Sequence, residues 1–325
     1  RLTLCAKKPG VFPGFFYFYY AMTKEALTSE IKKTALSLGF SACGIAPVST
    51  LQQESSYIEK WIANKYHGHM RYMEKNIDKR KDPRLLLENA RSIIVVILNY
   101  FPTKQLPPEA PQIAKYAYGK DYHQVMRQQL KKLADILQLS NNKVKIFVDS
   151  SPVIDKTWAV RAGLGWIGKN TLFISNTHGS YVYIGGIITD VELVYDNPSR
   201  ENGCGNCTTC IDSCPTQAII HAYCLNATKC ISYINKDTDS YPAEYKKKMD
   251  KWIFGCDICQ DVCPMNKKCI ATSCNDLLLK KELLHLSIDE WKNMTEETFK
   301  QIFAGTAIAL IPYLRFKNNI RTVLQ

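Results

Sequence analysis

Cys204-Gly-Asn-Cys207-Thr-Thr-Cys210-Ile-Asp-Ser-Cys214-Pro215 follows the bacterial ferredoxin run C-x2-C-x2-C-x3-C-P without a gap. In such a run three thiolates hold one 4Fe-4S cubane, the fourth reaches a second cluster, and the proline turns the chain away. Cys256-Asp-Ile-Cys259-Gln-Asp-Val-Cys263-Pro264 repeats the ending with one cysteine fewer. A second cubane therefore needs one sulfur from elsewhere. Cys230 is the choice, while spacing alone leaves Cys224, Cys269 and Cys274 open. Crossed ligation then gives Cys204, Cys207, Cys210 and Cys263 to one cluster, and Cys214, Cys230, Cys256 and Cys259 to the other. Paired zinc sites also use Cys-x2-Cys, but they explain neither the third cysteine nor the two Cys-Pro endings.

Outward from this stretch the composition narrows the class. The chain has 325 residues, of which 46% are hydrophobic, enough to bury a sizeable core and to divide into more than one domain. Most of its 13 cysteines crowd into the segment after Cys204, a metal pattern rather than the disulfide framework of a small secreted protein. The apolar runs Phe15 to Tyr20 and Ile93 to Leu98 are too short to span a bilayer. A soluble, cytoplasmic protein with no membrane partner is expected. Its 42 Lys and Arg against 30 Asp and Glu leave +12, which favours polyanionic partners without naming one. Cys5 and Cys43 read as incidental thiols, and the six histidines share no metal spacing.

Residues 1–21 carry no acidic group and many aromatics, and they read as an upstream extension rather than a signal peptide. Residues 22–196 alternate strand and helix patterns. SIIVVILNYF (92–101), KVKIFVDSS (143–151) and SYVYIGGIIT (180–189) read as strands, and TKEALTSEIKKTALSLGF and DYHQVMRQQLKKLADILQL (121–139) as helices. Residues 197–274 form the cysteine-dense module. Residues 275–325 form a short helical tail with cap-like Ser287 and Thr295. The fold class expected is α+β. Two cubanes make a wire whose terminus must lie in the upstream body, and that body shows no G-x-G-x-x-G fingerprint of a dinucleotide site.

The segments KRKDPRLLLENARSIIVVILNY (79–100), YGKDYH (118–123), VDSSPVIDK (148–156), RAGLGWIGKNTLFI (161–174), GSYVYIG (179–185), CGNCTTCIDSCPTQAI (204–219), KCISY (229–233) and FGCDICQDVCPMN (254–266) occur in the order found in one family. In these the sequence resembles epoxyqueuosine reductase, a relative of the reductive dehalogenases. The resemblance implies a nitroreductase-like cobalamin-binding domain, a ferredoxin-like module with two 4Fe-4S clusters, and reduction of epoxyqueuosine to queuosine at the wobble position of tRNA. CISY favours Cys230 as the eighth ligand. The family's proton donor falls on Asp149, and its cobalamin contacts on Arg80, Asp149, Lys169, Asn170, Ile184 and Ser232.

For Asp149 to act as an acid near neutral pH, burial beside an apolar cofactor face is expected to raise its pKa. Gly163, Gly165 and Gly168 are expected to allow a tight turn and close backbone approach. Tyr116, Tyr118 and Tyr122 read as core or cofactor wall. A basic pair expected near the C-terminus is replaced by Ala309 and Leu310, which puts tRNA contact at that edge in doubt. Partners implied are tRNA and a low-potential donor of flavodoxin or ferredoxin type, with the protein a monomer. The competing readings are a small-molecule reductive dehalogenase and a two-cluster electron carrier without cobalamin.

Overall fold

The computed structural model describes residues 22–137, 139, 144–198, 203–238 and 242–325. The extension read over residues 1–21, with its aromatic run and Cys5, lies outside them. So do residue 138 of the 121–139 helix pattern and the first residue of the 143–151 strand pattern.

The N-terminal body is built on a four-stranded antiparallel sheet. Its strands are β1 (Ala42–Pro47), β2 (Ser92–Asn99), β3 (Val144–Val148) and β4 (Val182–Thr189), in the order β1-β2-β4-β3. β2 is buried along its whole length because both faces of the sheet are covered. Alternate residues point to opposite faces. Ile94, Val96 and Leu98 enter one core, while Ile93, Val95 and Ile97 enter the other.

Helix α1 (Lys24–Ser37) covers the first face with Ile31 and Ala35, and α2 (Tyr122–Ile136) joins it with Val125, Met126, Leu130 and Leu133. Both helices start where a side chain satisfies an orphan amide: Thr23 caps α1 and Asp121 caps α2. Trp158, Ala159 and Ala162, from the helix Asp155–Arg161 and its end, cover the second face. Gly163 takes φ +75°, and a Cβ there would stand 2.6 Å from the Asn197 carbonyl oxygen. A Cβ on Gly165 would lie 2.0 Å from the Ile174 carbonyl oxygen, so the hairpin of Gly165–Ile167 and Phe173–Ser175 closes only around glycine.

The antiparallel register places the end of β2, the start of β4 and the end of β3 at one edge of the sheet: Asn99 pairs with Val182, and Val148 with Gly185. The cysteine module seats against that edge. Asn99 Nδ2 donates to the Ile270 carbonyl at 2.7 Å, and the Thr272 amide donates to the Phe101 carbonyl at 2.7 Å. Asn266, two residues after Cys263-Pro264, is buried and accepts from the Ser180 amide at 2.7 Å.

The segments 22–196, 197–274 and 275–325 share cores rather than folding apart. The strand Trp252–Phe254 pairs in parallel with Gln112–Ile113. Leu106, Ile113 and Tyr118 pack with Ile253 and with Trp291, Phe299, Phe303 and Phe316 of the tail in one cluster. Among the described residues no helix is long and apolar enough to cross a membrane.

Candidate active site

Two cysteine quartets stand next to each other in space. Cys204, Cys207, Cys210 and Cys263 line one small cavity. Cys214, Cys230, Cys256 and Cys259 line the wall of a larger one, of about 380 Å3. The quartets match the crossed assignment, because the short helices Thr209–Asp212 and Ile258–Asp261 pack together and exchange the last cysteine of each run. Cys224, Cys269 and Cys274 line neither cavity. Among the described residues no three His, Cys, Asp or Glu side chains close round a single ion. A cubane holds its sulfurs farther apart than one zinc does, which suits a quartet spread round a cavity.

The two quartets differ in surroundings. Burial pushes the Cys230, Cys256 and Cys259 thiols up. In the first quartet burial raises Cys210 and Cys263 as well, but at Cys207 the hydroxyl and amide of Thr209 pull the thiol down, the sign of a polar position at that corner. Lys169 belongs to this first quartet. Its Nζ donates to the carbonyls of Gly205 at 2.6 Å and Cys207 at 2.9 Å, so it fastens the first cysteine loop and lines the small cavity rather than the large one. Asn170 is buried between the two cavities, its Oδ1 accepting from the Leu172 amide and its Nδ2 donating to the Cys259 carbonyl.

The large cavity lies at the sheet edge. Ile184 and Val182 of β4, Leu172, Phe173 and Tyr183 give it apolar lining, and Asn170, Ser232 and the second quartet line it as well. Asp149 lines it as well, from the position just after β3, with φ +44°. A non-glycine residue in the left-handed region costs of order 1 kcal/mol and is held there by its surroundings. Tyr122 Oη donates to Asp149 Oδ2 at 2.8 Å, and His123 Nε2 sits 3.1 Å from the same oxygen. His123 Nδ1 lies 2.8 Å from Asp121 Oδ1, which completes an Asp–His–Asp chain.

This chain reverses the expectation for Asp149. Burial pushes its carboxyl up, but the hydrogen bonds from His123 and Tyr122 and the His123 charge together hold it below the usual carboxylate range. Its side chain is 58% accessible, facing the cavity instead of an apolar wall. The partner moves the other way: the hydrogen bond to Asp149 and then that to Asp121 raise His123, against the pull of burial. Burial does raise two other carboxyls of the cavity lining, Asp155 and Asp257, each pushed up to about 6. His123 and Asp155 were missed because neither belongs to a metal or catalytic spacing. Their place in YGKDYH and VDSSPVIDK was the available signal.

Arg80, on the helix Ile77–Lys81, is close enough to Tyr72, Asp155 and Asp149 to feel their charges, while burial lowers its guanidinium. Its Nε is buried with no hydrogen-bond partner, and Nη2 reaches only the Tyr72 carbonyl at 3.5 Å. Arg80 does not line the large cavity, and its buried Nε stands out as a donor left unsatisfied among the described residues. Tyr122 stacks on Tyr183 with centroids 4.2 Å apart, and Tyr183 on Tyr100 at 4.4 Å, so the wall is a rigid aromatic face. Tyr118 lies in the core behind it. The arrangement can carry electrons from one cysteine quartet to the other and deliver protons into the same cavity.

Residues 80–150 match the family described as epoxyqueuosine reductase QueG, DUF1730, and residues 203–266 match the 4Fe-4S double cluster binding domain. An epoxyqueuosine reductase of Cellulophaga algicola is 42% identical over 301 residues, covering 92% of this chain and 98% of its own length. The chain belongs to the epoxyqueuosine reductase family. The relative from Leadbetterella byssophila is 43% identical, covering 92% of this chain and 98% of its own. A solved epoxyqueuosine reductase in complex with an epoxyqueuosine-modified tRNA-Tyr stem loop superposes with a TM-score of 0.83 at 29% identity, covering 92% of this chain and 80% of that one. The Bacillus subtilis enzyme, solved with its catalytic aspartate loop swung out of the active site, gives 0.81 at 28%, covering 92% and 81%. The α+β fold and the double 4Fe-4S module expected for an epoxyqueuosine reductase are thereby shown.

Proposed function

We propose that this protein reduces epoxyqueuosine to queuosine at the wobble position of tRNA, with cobalamin in the large cavity and two 4Fe-4S clusters as its electron supply. The observation that carries the reading is the meeting, in one cavity wall, of Asp149 and the second cysteine quartet. Electrons and protons are thereby brought to the same space. The tRNA substrate is supported by the solved relative that holds a modified stem loop and by the net charge of +12.

Cobalamin fits the residues present: an apolar face of Ile184 and Tyr183 and polar groups at Asn170 and Ser232 line the cavity, and the unpartnered, buried Arg80 Nε is near enough to feel the charges of Asp149 and Asp155. Arg80, Asn170, Ile184 and Ser232 would hold it, while Lys169 is reassigned to the first cysteine loop. Bound there, cobalamin supplies a low-potential nucleophilic reductant for the strained epoxide. Cys204, Cys207, Cys210 and Cys263 hold the first cluster, which receives electrons from a flavodoxin- or ferredoxin-type donor. Cys214, Cys230, Cys256 and Cys259 hold the second one. The protein works as a cytoplasmic monomer.

The proton is kept on His123 Nε2 and shared with Asp149 Oδ2 across 3.1 Å. Asp149 therefore acts as the donor through its pairing with a raised histidine and not through a raised pKa of its own. Its loop position agrees with the mobile catalytic aspartate loop of the Bacillus subtilis relative.

The experiment is anaerobic reconstitution with iron, sulfide and cobalamin, followed by reduction and incubation with epoxyqueuosine-bearing stem loop. Loss of the epoxide supports the reading. Cobalamin binding without epoxide loss would point to a small-molecule substrate, and two clusters without cobalamin binding to a plain electron carrier. Asp149→Asn should keep both clusters and cobalamin while turnover falls by about 10²-fold or more. Unchanged turnover removes Asp149 from the mechanism.

A further inference from the structure

We propose that Asp155 is the second acid of this cavity, giving the departing epoxide oxygen the proton that Asp149 does not. The inference rests on the reading that the reaction turns an epoxide into an alkene. That conversion breaks both C–O bonds, forms one C–C π bond, takes up two electrons and two protons, and releases the oxygen as water. The electrons come from the reduced donor through the clusters. Both protons must arrive at one oxygen.

The His123–Asp149 pair holds one transferable proton, because Asp149 is lowered and His123 raised. Both histidine nitrogens are engaged, one by Asp149 and one by Asp121, so the pair acts as a single donor. A second must come from another group in the wall.

The other titratable groups in the wall are poorly placed for this. Burial holds the phenols of Tyr100, Tyr116, Tyr122 and Tyr183 above their ordinary value. Lys156 gives its ammonium to the Thr171 carbonyl at 2.9 Å. Burial also pushes Asp257 up to about 6, but Asp257 is ion-paired, accepting from Lys115, whose amide is 2.7 Å and ammonium 3.5 Å away. Asp155 remains. Among the described residues it makes no ion pair within 4.0 Å, and the hydrogen bond it accepts is from the Lys156 amide at 2.7 Å.

The charges facing Asp155 come from three directions: Lys156 on its own helix, Asp149 at the end of β3, and Arg80 from the helix Ile77–Lys81. Burial is the largest influence and pushes the carboxyl to about 6, with the Asp149 charge acting the same way and Lys156 and Arg80 opposing. A carboxyl of this kind keeps a usable protonated fraction near neutral pH, and loses it as pH rises further.

The test compares wild type, Asp155→Asn and Asp155→Glu in single-turnover reduction of an epoxyqueuosine stem loop across acid to mildly alkaline pH. The wild-type rate should decline as pH rises through and above the Asp155 value. Asp155→Asn should lose that limb and about 10²-fold in rate, and Asp155→Glu should regain a limb. Infrared difference spectra of the cluster-loaded protein without substrate should show carboxyl titration near that pH in wild type, with the Asp155 share of the band lost in Asp155→Asn and the Asp257 share kept. An Asp155→Asn profile that keeps the wild-type limb, whether at full or uniformly reduced rate, overturns the proposal. If wild type reduces no epoxide at any pH, the epoxide reading itself fails and takes this one with it.

Discussion

The Asp121–His123–Asp149 chain shows how two carboxylates and an imidazole divide one proton. Asp149 is depressed, so its share of stability is present above the unfolded carboxylate pKa near ~3.9 and is lost as pH falls through its lower folded value. His123 is raised, so its share is full below ~6.5 and is lost as pH rises through its higher folded value. The pair is therefore strongest in the acid-to-neutral window. His123→Gln removes the cation and lets the Asp149 carboxyl titrate at higher pH than in wild type. Carboxyl-carbon NMR across a pH series checks this, and turnover should drop by about 10²-fold, since the proton source is gone. An unmoved Asp149 titration would detach His123 from the acid.

Among the elements, the legible ones were those with a strong period or a cap. SIIVVILNYF announced β2 because an apolar run buried on both faces has no polar alternation to hide in. Ser287 announced the helix Ile288–Asn293, where its Oγ accepts from the Glu290 amide at 3.2 Å and Glu290 reaches back to the Ser287 amide at 2.8 Å. Ser287→Ala should cost about 1 kcal/mol and lower the melting temperature by a few degrees, measured by calorimetry of the cluster-loaded protein. The strand β1, Ala-Cys-Gly-Ile-Ala-Pro, was not legible. Its small residues carry little strand preference, and pairing with β2 alone makes it a strand.

Across the whole molecule the tail is part of the electron-transfer scaffold. Asn319, buried in the helix Tyr313–Val323, donates to the carbonyls of Asn235 at 2.7 Å and Ile253 at 3.0 Å. Asn235 in turn holds Gly255, next to Cys256, through a 2.9 Å bond from the Gly255 amide. Asn319→Ala leaves two buried acceptors without donors, an expected loss of about 1–3 kcal/mol per unsatisfied group. Iron should then leave the protein sooner under a chelator, followed by the 4Fe-4S absorbance, and the melting temperature should fall. Wild-type chelation kinetics would show that the tail does not brace the second quartet.

The sequence by itself determined the two cubane motifs, the family and the main strands and caps, because each is written in local spacing: a thiolate every third residue, an apolar run, a serine three residues before a glutamate. It placed Asp149 in the site but misjudged its ionisation. Only the tertiary structure brought Tyr122 and His123, some twenty-six residues upstream, onto the Asp149 carboxylate. It also sent Lys169 to the first cysteine loop and left Asp155 as a raised carboxyl without an ion pair among the described residues. Hydrogen bonding and burial set a pKa, and both are decided by residues distant in the chain that the sheet edge and the cysteine module fold together.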